Sequence, residues 1–518
     1  MVKNKYLKLF ILGLSLVVSC LMVFERPVQA STNDKVLLVY DSQNKTQRAE
    51  KKLDALQRSL TSMNLKVKTL SQADYKSGML DRSYLGVITM INWKEVGLTN
   101  QQFIQDRRQF NGIKLHIGQG LNQDEAAGLG GQVRKIYRQQ FSLENNGNEQ
   151  LLPFSESITV LDDLPAEAEK IGTLATQQTD QKSYAFGVIN GKNGYLPFFR
   201  NDGLSMMTEI LTIGKLFHRV GKYQPLLTFN NVTPYSNLKI LDQLSRYCYK
   251  NEIPFAISTT SVSQNTDLDA FDRYTAALRD VENRGGIVFL NAPEVSSADN
   301  SGTVLDQKFS TYLVSLSRHQ VFPVGVSAQG YWNQDKVFRN NLLKYASHWL
   351  MLPDQGEISH VEADDEALST QTSYFAMKLS SLKEVKKSST MSFAIPTSLT
   401  ISLPDSQTNV QMVKQELNRS QLTWYDPIDD HLQTEIETPS TLLQYKFGNY
   451  FINGKEQDIK NNNTIVKKFD DGKPKAALTG YFKVQGNVFM IFFVIVTIVL
   501  LIFIFIGQRV YWNRFRRK

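Results

Sequence analysis

The sequence predicts an α/β protein with a C-terminal membrane helix. A parallel α/β domain comes first, followed by a second domain built from βαβ units. Three observations carry this. Apolar strands alternate with amphipathic helices from Lys35 to about Gly120. Pro225 to Val262 reads as a buried strand, a polar turn, an amphipathic helix and a second buried strand. Val488 to Ile506 is a run of 19 residues without a charge, about long enough to cross ~30 Å of hydrocarbon as a helix.

The two ends explain the bulk charge. The 518 residues carry a net +8. Lys3, Lys5, Lys8 and Arg26 against Glu25 supply part of it, and Arg509, Arg514, Arg516, Arg517 and Lys518 the rest. The body between is neutral, which excludes a basic nucleic-acid-binding surface of ordinary kind. Lys3, Lys5 and Lys8 precede the apolar run Leu9 to Phe24, and Val28-Gln29-Ala30 offers small residues before a cut. Residues 1–30 are therefore read as a secretory signal cleaved after Ala30, with a lipoprotein-type cut at Cys20 as the alternative. Residues 488–507 form the single transmembrane helix, and the basic tail 508–518 is expected in the cytoplasm. The bulk of the chain then lies outside the cell membrane. Cys20 and Cys248 are the only cysteines, so no intramolecular disulfide staples the mature chain. Cys248 sits on the apolar face of its helix and is expected to be a packed, inert thiol.

Residues 31–120 are expected to form a flavodoxin/Rossmann-like domain. Val36 to Tyr40, Leu65 to Leu70, Leu85 to Ile91 and Ile113 to Ile117 are its strands, with helices over 46–63 and 99–109. Gly118-Gln119-Gly120 lacks the further glycine and helix start of a nucleotide fingerprint. The topology is similar to amidotransferase-like flavodoxoid domains, but their nucleophilic cysteine is absent, so a structural or binding role is expected. Residues 121–224 read as a β-rich connecting module. It has strands near 157–161, 185–189 and 195–199, a turn at Asn190 to Gly194, and a helix from Met206 to Arg219.

In the unit from Pro225, Leu226, Leu227 and Phe229 form a strand that ends in Asn230-Asn231. Ile240, Leu241, Leu244, Tyr247 and Cys248 then recur at helical spacing, and Pro254 to Ile257 begin the next strand. Such units place ligands at the carboxyl ends of their strands. The stretch Thr228-Phe229-Asn230-Asn231 resembles the first strand of the polysaccharide deacetylase (carbohydrate esterase) superfamily, a metal-dependent (β/α)-barrel family. There the strand ends T-F-D-D, one carboxylate serving as general base and the other binding the metal. The resemblance covers residues 225–430 and implies a deacetylase-like (β/α) barrel. It also implies lost chemistry. Both carboxylates are amides in this chain, which have no working proton and bind divalent cations poorly. The family's H-x-x-x-H is replaced by Asn291 to Val295, its arginine near 324–331 is missing, and its closing L-x-H histidine would fall near Pro404. No catalytic residue, metal ligand or cofactor is therefore expected.

Other constellations offer little. His116, His218, His319, His348, His360 and His431 include no pair at chelating spacing. His348 lies in KYASHWLML, read as a helical run with a buried, satisfied histidine. His360 to Glu366 is a dense acidic group, read as a solvated turn capping a following helix, with a loop-built cation site as the alternative. No G-x-S-x-G elbow occurs.

The barrel mouth is expected to present Asn230, Asn231, Tyr235, Asn291, Gln329, Tyr331 and Trp332. Amides match sugar hydroxyls, and aromatic faces stack on pyranose rings. Glycan binding without hydrolysis and a relic cleft that binds nothing both remain open. Residues 431–487 are expected to be a small membrane-proximal β appendage. The expectation for the whole is a membrane-anchored pseudo-deacetylase that binds glycan or scaffolds cell-surface and exopolysaccharide assembly, with a polysaccharide synthase complex as a candidate partner. The alternatives are an active deacetylase with displaced ligands, and a protein-interaction module without glycan affinity.

Overall fold

The computed structural model describes residues 34–41, 47–92, 97–176, 182–260, 262, 264–293, 302–353, 367, 372–385, 391–458 and 477–515. The segment 1–30, read above as a secretory signal, and the acidic group His360 to Glu366 lie outside them. The chain divides into two units, Met1–Ile459 and Lys460–Lys518.

The first unit opens with β1 (Lys35–Tyr40), α1 (Gln47–Ser62), β2 (Lys66–Ser71), β3 (Gly86–Ile91), α2 (Gln101–Gln109), β4 (Ile113–Gly118) and α3 (Gln123–Leu129). The strands pair in parallel in the order β2-β1-β3-β4. The middle of β1 and the whole of β3 are buried, as their unbroken apolar sequences require. Gly118 ends β4 at φ +101°, and a Cβ there would lie 2.0 Å from the carbonyl oxygen of Ile91. Close backbone approach accounts for this glycine, with no phosphate cradle involved.

Next come β5 (Gln132–Gln139), β6 (Phe141–Asn145), β7 (Asn148–Leu151), β8 (Ser155–Asp162), β9 (Glu169–Thr176), β10 (Ser183–Asn190), β11 (Asn193–Leu196) and α4 (Gly203–Leu216). β11 joins β4 in parallel, and β10, β9, β6 and β7 extend the sheet in antiparallel fashion to nine strands. The segments on either side of residue 120 thus share one sheet. β5 and β8 form a separate two-stranded ribbon.

The barrel runs through β12 (Leu226–Val232), α5 (Leu238–Lys250), β13 (Ala256–Thr259), α6 (Asp269–Glu282), β14 (Ile287–Asn291), α7 (Gly302–Arg318) and β15 (Gly325–Gln329). It continues with α8 (Tyr331–Gln334), α9 (Lys336–Asn341), β16 (His348–Leu352), β17 (Thr372–Lys378), β18 (Thr397–Ser402) and α10 (Gln407–Ser420). All seven strands are parallel, and β18 returns to β12 to close the barrel. His348 lies in a strand, correcting the helical reading of its segment. A short apolar run such as Trp349 to Leu352 carries no periodicity that separates a buried strand from a buried helix.

Around β16 and β17 the described residues include no long barrel helix of the α5 type. α1 from the first sheet covers this wall. Arg58 donates to the carbonyl oxygens of Ala376 (2.9 Å) and Met351 (3.4 Å), lies 4.8 Å from the Phe375 ring centre and pairs with Asp54 at 2.8 Å. Ser62 donates to Pro396 O at 3.2 Å, and Asn333 to Thr61 Oγ1 at 3.1 Å. On its other side Gln57 donates to Thr69 of β2 at 2.9 Å. Every residue from Leu53 to Ser62 is buried, polar ones included, because the helix is enclosed between sheet and barrel.

β19 (Gln433–Glu437), β20 (Leu442–Lys446), β21 (Asn449–Ile452) and β22 (Lys455–Gln457) form an antiparallel sheet. Its Tyr445 and Tyr450 join Leu226, Ala256, Ile287 and Tyr374 in one apolar cluster that closes the amino end of the barrel. The second unit contains α11 (Ala477–Phe515). Its apolar stretch Phe489–Trp512 has 24 residues, about 36 Å of helix, long enough to span a membrane.

Candidate functional site at the carboxyl end of the barrel

The barrel registers align alternate residues on one face. Leu226, Thr228 and Asn230 of β12 pair with Ser398, Thr400 and Ser402 of β18. Going the other way, Thr228 pairs with Ala256, whose strand carries Ser258, and the row continues to Asn291 and Ser327. The inner row is therefore largely apolar at the amino end and polar at the carboxyl ends of β12, β13, β14, β15 and β18, while β16 and β17 contribute Leu352 and Lys378 there. Ser258 and Ser327 both hydrogen-bond Asn291 Oδ1, and their hydroxyls lie 2.6 Å apart. Deeper in, Ser398 donates to Thr228 Oγ1 at 2.8 Å.

Asn230 and Asn231 form a bulge. The pairing of β12 with β13 jumps from Phe229↔Ile257 to Val232↔Thr259, so two residues oppose one. Asn231 takes φ +60°, a conformation asparagine tolerates better than most residues. Its Nδ2 lies 3.4 Å from Ser402 Oγ. Asn230 is only 3% exposed and its main-chain carbonyl accepts from Leu403 at 2.9 Å. Its Oδ1 is buried without a hydrogen-bond partner, as is Oε1 of half-buried Gln329 at the end of β15. An unpaired buried carbonyl costs about 1–3 kcal/mol, and a ligand hydroxyl or water would relieve it.

The structure thus brings Asn230, Asn231, Asn291 and Gln329 to the carboxyl ends of β12, β14 and β15. It does not gather the aromatic residues with them. Tyr235 is 97% exposed on the loop after β12. Trp332 is buried, its ring centre 4.6 Å from that of Phe338, so its face is occupied by the protein itself. Tyr331 packs beside the same two rings. Ser258 and Ser327, which complete the polar set, escaped the sequence reading. Period-two alternation along β13 and β15 is the signal that could have found them.

Among the described residues no three His, Cys, Asp or Glu side chains come together as metal ligands. His348 is buried, bonded to Ser347 Oγ at 2.8 Å, and burial pushes its imidazole down to about 4. Cys248 is buried and its thiol is pushed up to about 12 by desolvation. A His116–Glu125–Arg107 cluster lies away from the barrel. His116 Nδ1 is 3.0 Å and Arg107 Nη1 2.6 Å from Glu125 Oε1, and His116 Nε2 lies 2.8 Å from Gln119 O. Burial acts to raise the Glu125 carboxyl, but His116 and Arg107 outweigh it and hold it down to about 2. All three are sealed from solvent, so the cluster fixes α3 against β4 and has no access to substrate.

No family model matches the chain, and no curated protein matches it.

Proposed function

We propose that the chain is a membrane-anchored, outward-facing protein whose deacetylase-like barrel binds glycan without hydrolysing it, as part of cell-surface polysaccharide assembly. One observation carries the reading. On β12, β13, β14, β15 and β18 the inner row at the carboxyl end of the closed parallel barrel consists of amides and hydroxyls, with Leu352 and Lys378 completing it on β16 and β17, and the carbonyl oxygens of Asn230 and Gln329 lack partners there. Sugar hydroxyls supply donors of that kind. The apolar stretch of α11 followed by Arg514, Arg516, Arg517 and Lys518 supports an anchor with its tail in the cytoplasm.

The test uses the full chain in nanodiscs, titrated with acetylated hexosamine oligosaccharides. Saturable binding should weaken at least about tenfold in Asn230→Ala and Gln329→Ala, the loss expected for one buried hydrogen bond. The double variant Asn230→Asp/Asn231→Asp should show no esterase turnover, since it restores no histidine ligand. Stoichiometric zinc with deacetylation would replace this reading by an active esterase. Absence of glycan binding together with co-purification of a membrane synthase would replace it by a protein-interaction role.

A further inference from the structure

The ribbon β5–β8 has an unusual balance of burial. β8 is anchored, with Ile158, Thr159, Val160 and Leu161 all buried. β5 is exposed along both faces, with only Ile136 and Gln139 partly covered. Among the described residues it pairs with β8 alone, which leaves its outer edge open. Two-stranded ribbons are marginal by themselves, and an open edge is a template for another strand.

The side chains on that edge are selective. Gln132–Gln139 carries Arg134, Lys135 and Arg138 and no carboxylate. Arg134 is joined to Asp162 of β8 at 2.8 Å. Val133 is 43% and Tyr137 63% exposed, and Phe154, 61% exposed, immediately precedes Ser155, the partner of Gln139. Exposed Tyr and Phe beside Arg are the residue types that dominate binding surfaces. Arg138 takes φ +50°, outside ordinary strand geometry, so the regular edge is Gln132 to Tyr137, a normal strand length.

We infer that β5 is a docking edge for an extended acidic segment of another protein, which adds as a third strand of the ribbon. A second copy of this chain fits poorly. Two β5 strands side by side would set Arg134, Lys135 and Arg138 of one copy against the same three of the other, with no carboxylate on either β5 strand and Asp162 of β8 already engaged by Arg134, and like charges facing across strands destabilise. Basic residues on an edge also act as guards against aggregation. Guarding alone does not account for Tyr137 and Phe154 standing in solvent beside them. An incoming strand with alternate Glu or Asp pairs with the edge amides, sets its carboxylates on the face of Arg134 and Arg138, and sets its apolar residues on the face of Val133 and Tyr137.

The experiment measures anisotropy of a labelled peptide alternating glutamate and valine, added to the full chain in nanodiscs, with amide exchange read in parallel. The acidic peptide should bind saturably, slow exchange within residues 132–137, and weaken at least about tenfold in Lys135→Glu/Arg138→Glu and at high salt. Both substituted side chains are exposed, and a peptide N-methylated at alternate amides tests the backbone requirement on the unaltered chain. Equal binding of a lysine–valine peptide, of the N-methylated peptide or by the variant would overturn the inference. So would no binding at all, or a dimer of the chain that the variant dissociates.

Discussion

Glu282, the last residue of α6, offers a quantitative test of the barrel's construction. It is 5% exposed, its Oε1 accepts from the main-chain N–H of Phe322 at 2.8 Å, and its Oε2 has no partner. Desolvation pushes its carboxyl up to about 8, against an ordinary value of 4.5. The native state therefore keeps the proton over a pH range in which the unfolded chain has released it. The stabilisation is complete below pH 4.5 and is lost as pH rises towards 8. Each pH unit of that interval is worth about 1.4 kcal/mol, so the whole loss is on the order of 3–5 kcal/mol. Glu282→Gln keeps the acceptor for Phe322 and cannot ionise, so its stability should stay flatter from pH 6.5 to 8.5. Urea midpoints followed by tryptophan fluorescence would show the variant gaining up to about 2 kcal/mol on wild type across that window. Buried Glu209 is raised in the same direction, and His348 works in the opposite sense below pH 6.5. The difference between the two proteins cancels both. Parallel curves for wild type and variant would show that Glu282 is ionised and solvated in the native state, and the packing argument would fail.

Two further outcomes follow from buried groups. Arg58→Ala leaves Asp54 buried beside β17 without its cation, and should cost about 3–5 kcal/mol, visible as a large fall in thermal midpoint. Cys248 should resist iodoacetamide at pH 8 in the native chain and react on unfolding, because its thiol is covered and pushed up to about 12. Mass spectrometry of the native digest would read this directly.

Local signals marked most of the strands and helices well. β1, β3 and β14 are apolar runs, β4 alternates Ile113, Leu115 and Ile117 with Lys114 and His116, β12 opens on Leu226, Leu227 and Phe229, and α5 has a clean apolar stripe, so each was legible from side-chain type alone. The carboxyl-end position of Asn230 and Asn231 followed from the same pattern. β16 and β17 were not legible, since His348 to Leu352 and Thr372 to Lys378 owe their state to pairing with each other and with neighbours far along the chain. The burial of Trp332 was equally hidden, because a tryptophan next to a site has the same sequence signature whether its face is free or packed on Phe338. The amphipathic helix expected over 46–63 buries its polar residues as well, Gln57, Ser59 and Thr61 among them. Only the presence of a second surface across the helix makes them interior.

That enclosed helix has a consequence for how the molecule is made. Arg58 leaves the ribosome 318 residues before Ala376, the carbonyl it must grip. The amino-terminal half therefore cannot reach its final form during early synthesis, and must wait with one flank of α1 bare until β17 arrives. A fragment cut between sheet and barrel would remain in that waiting condition indefinitely, each piece showing the other's missing wall to water.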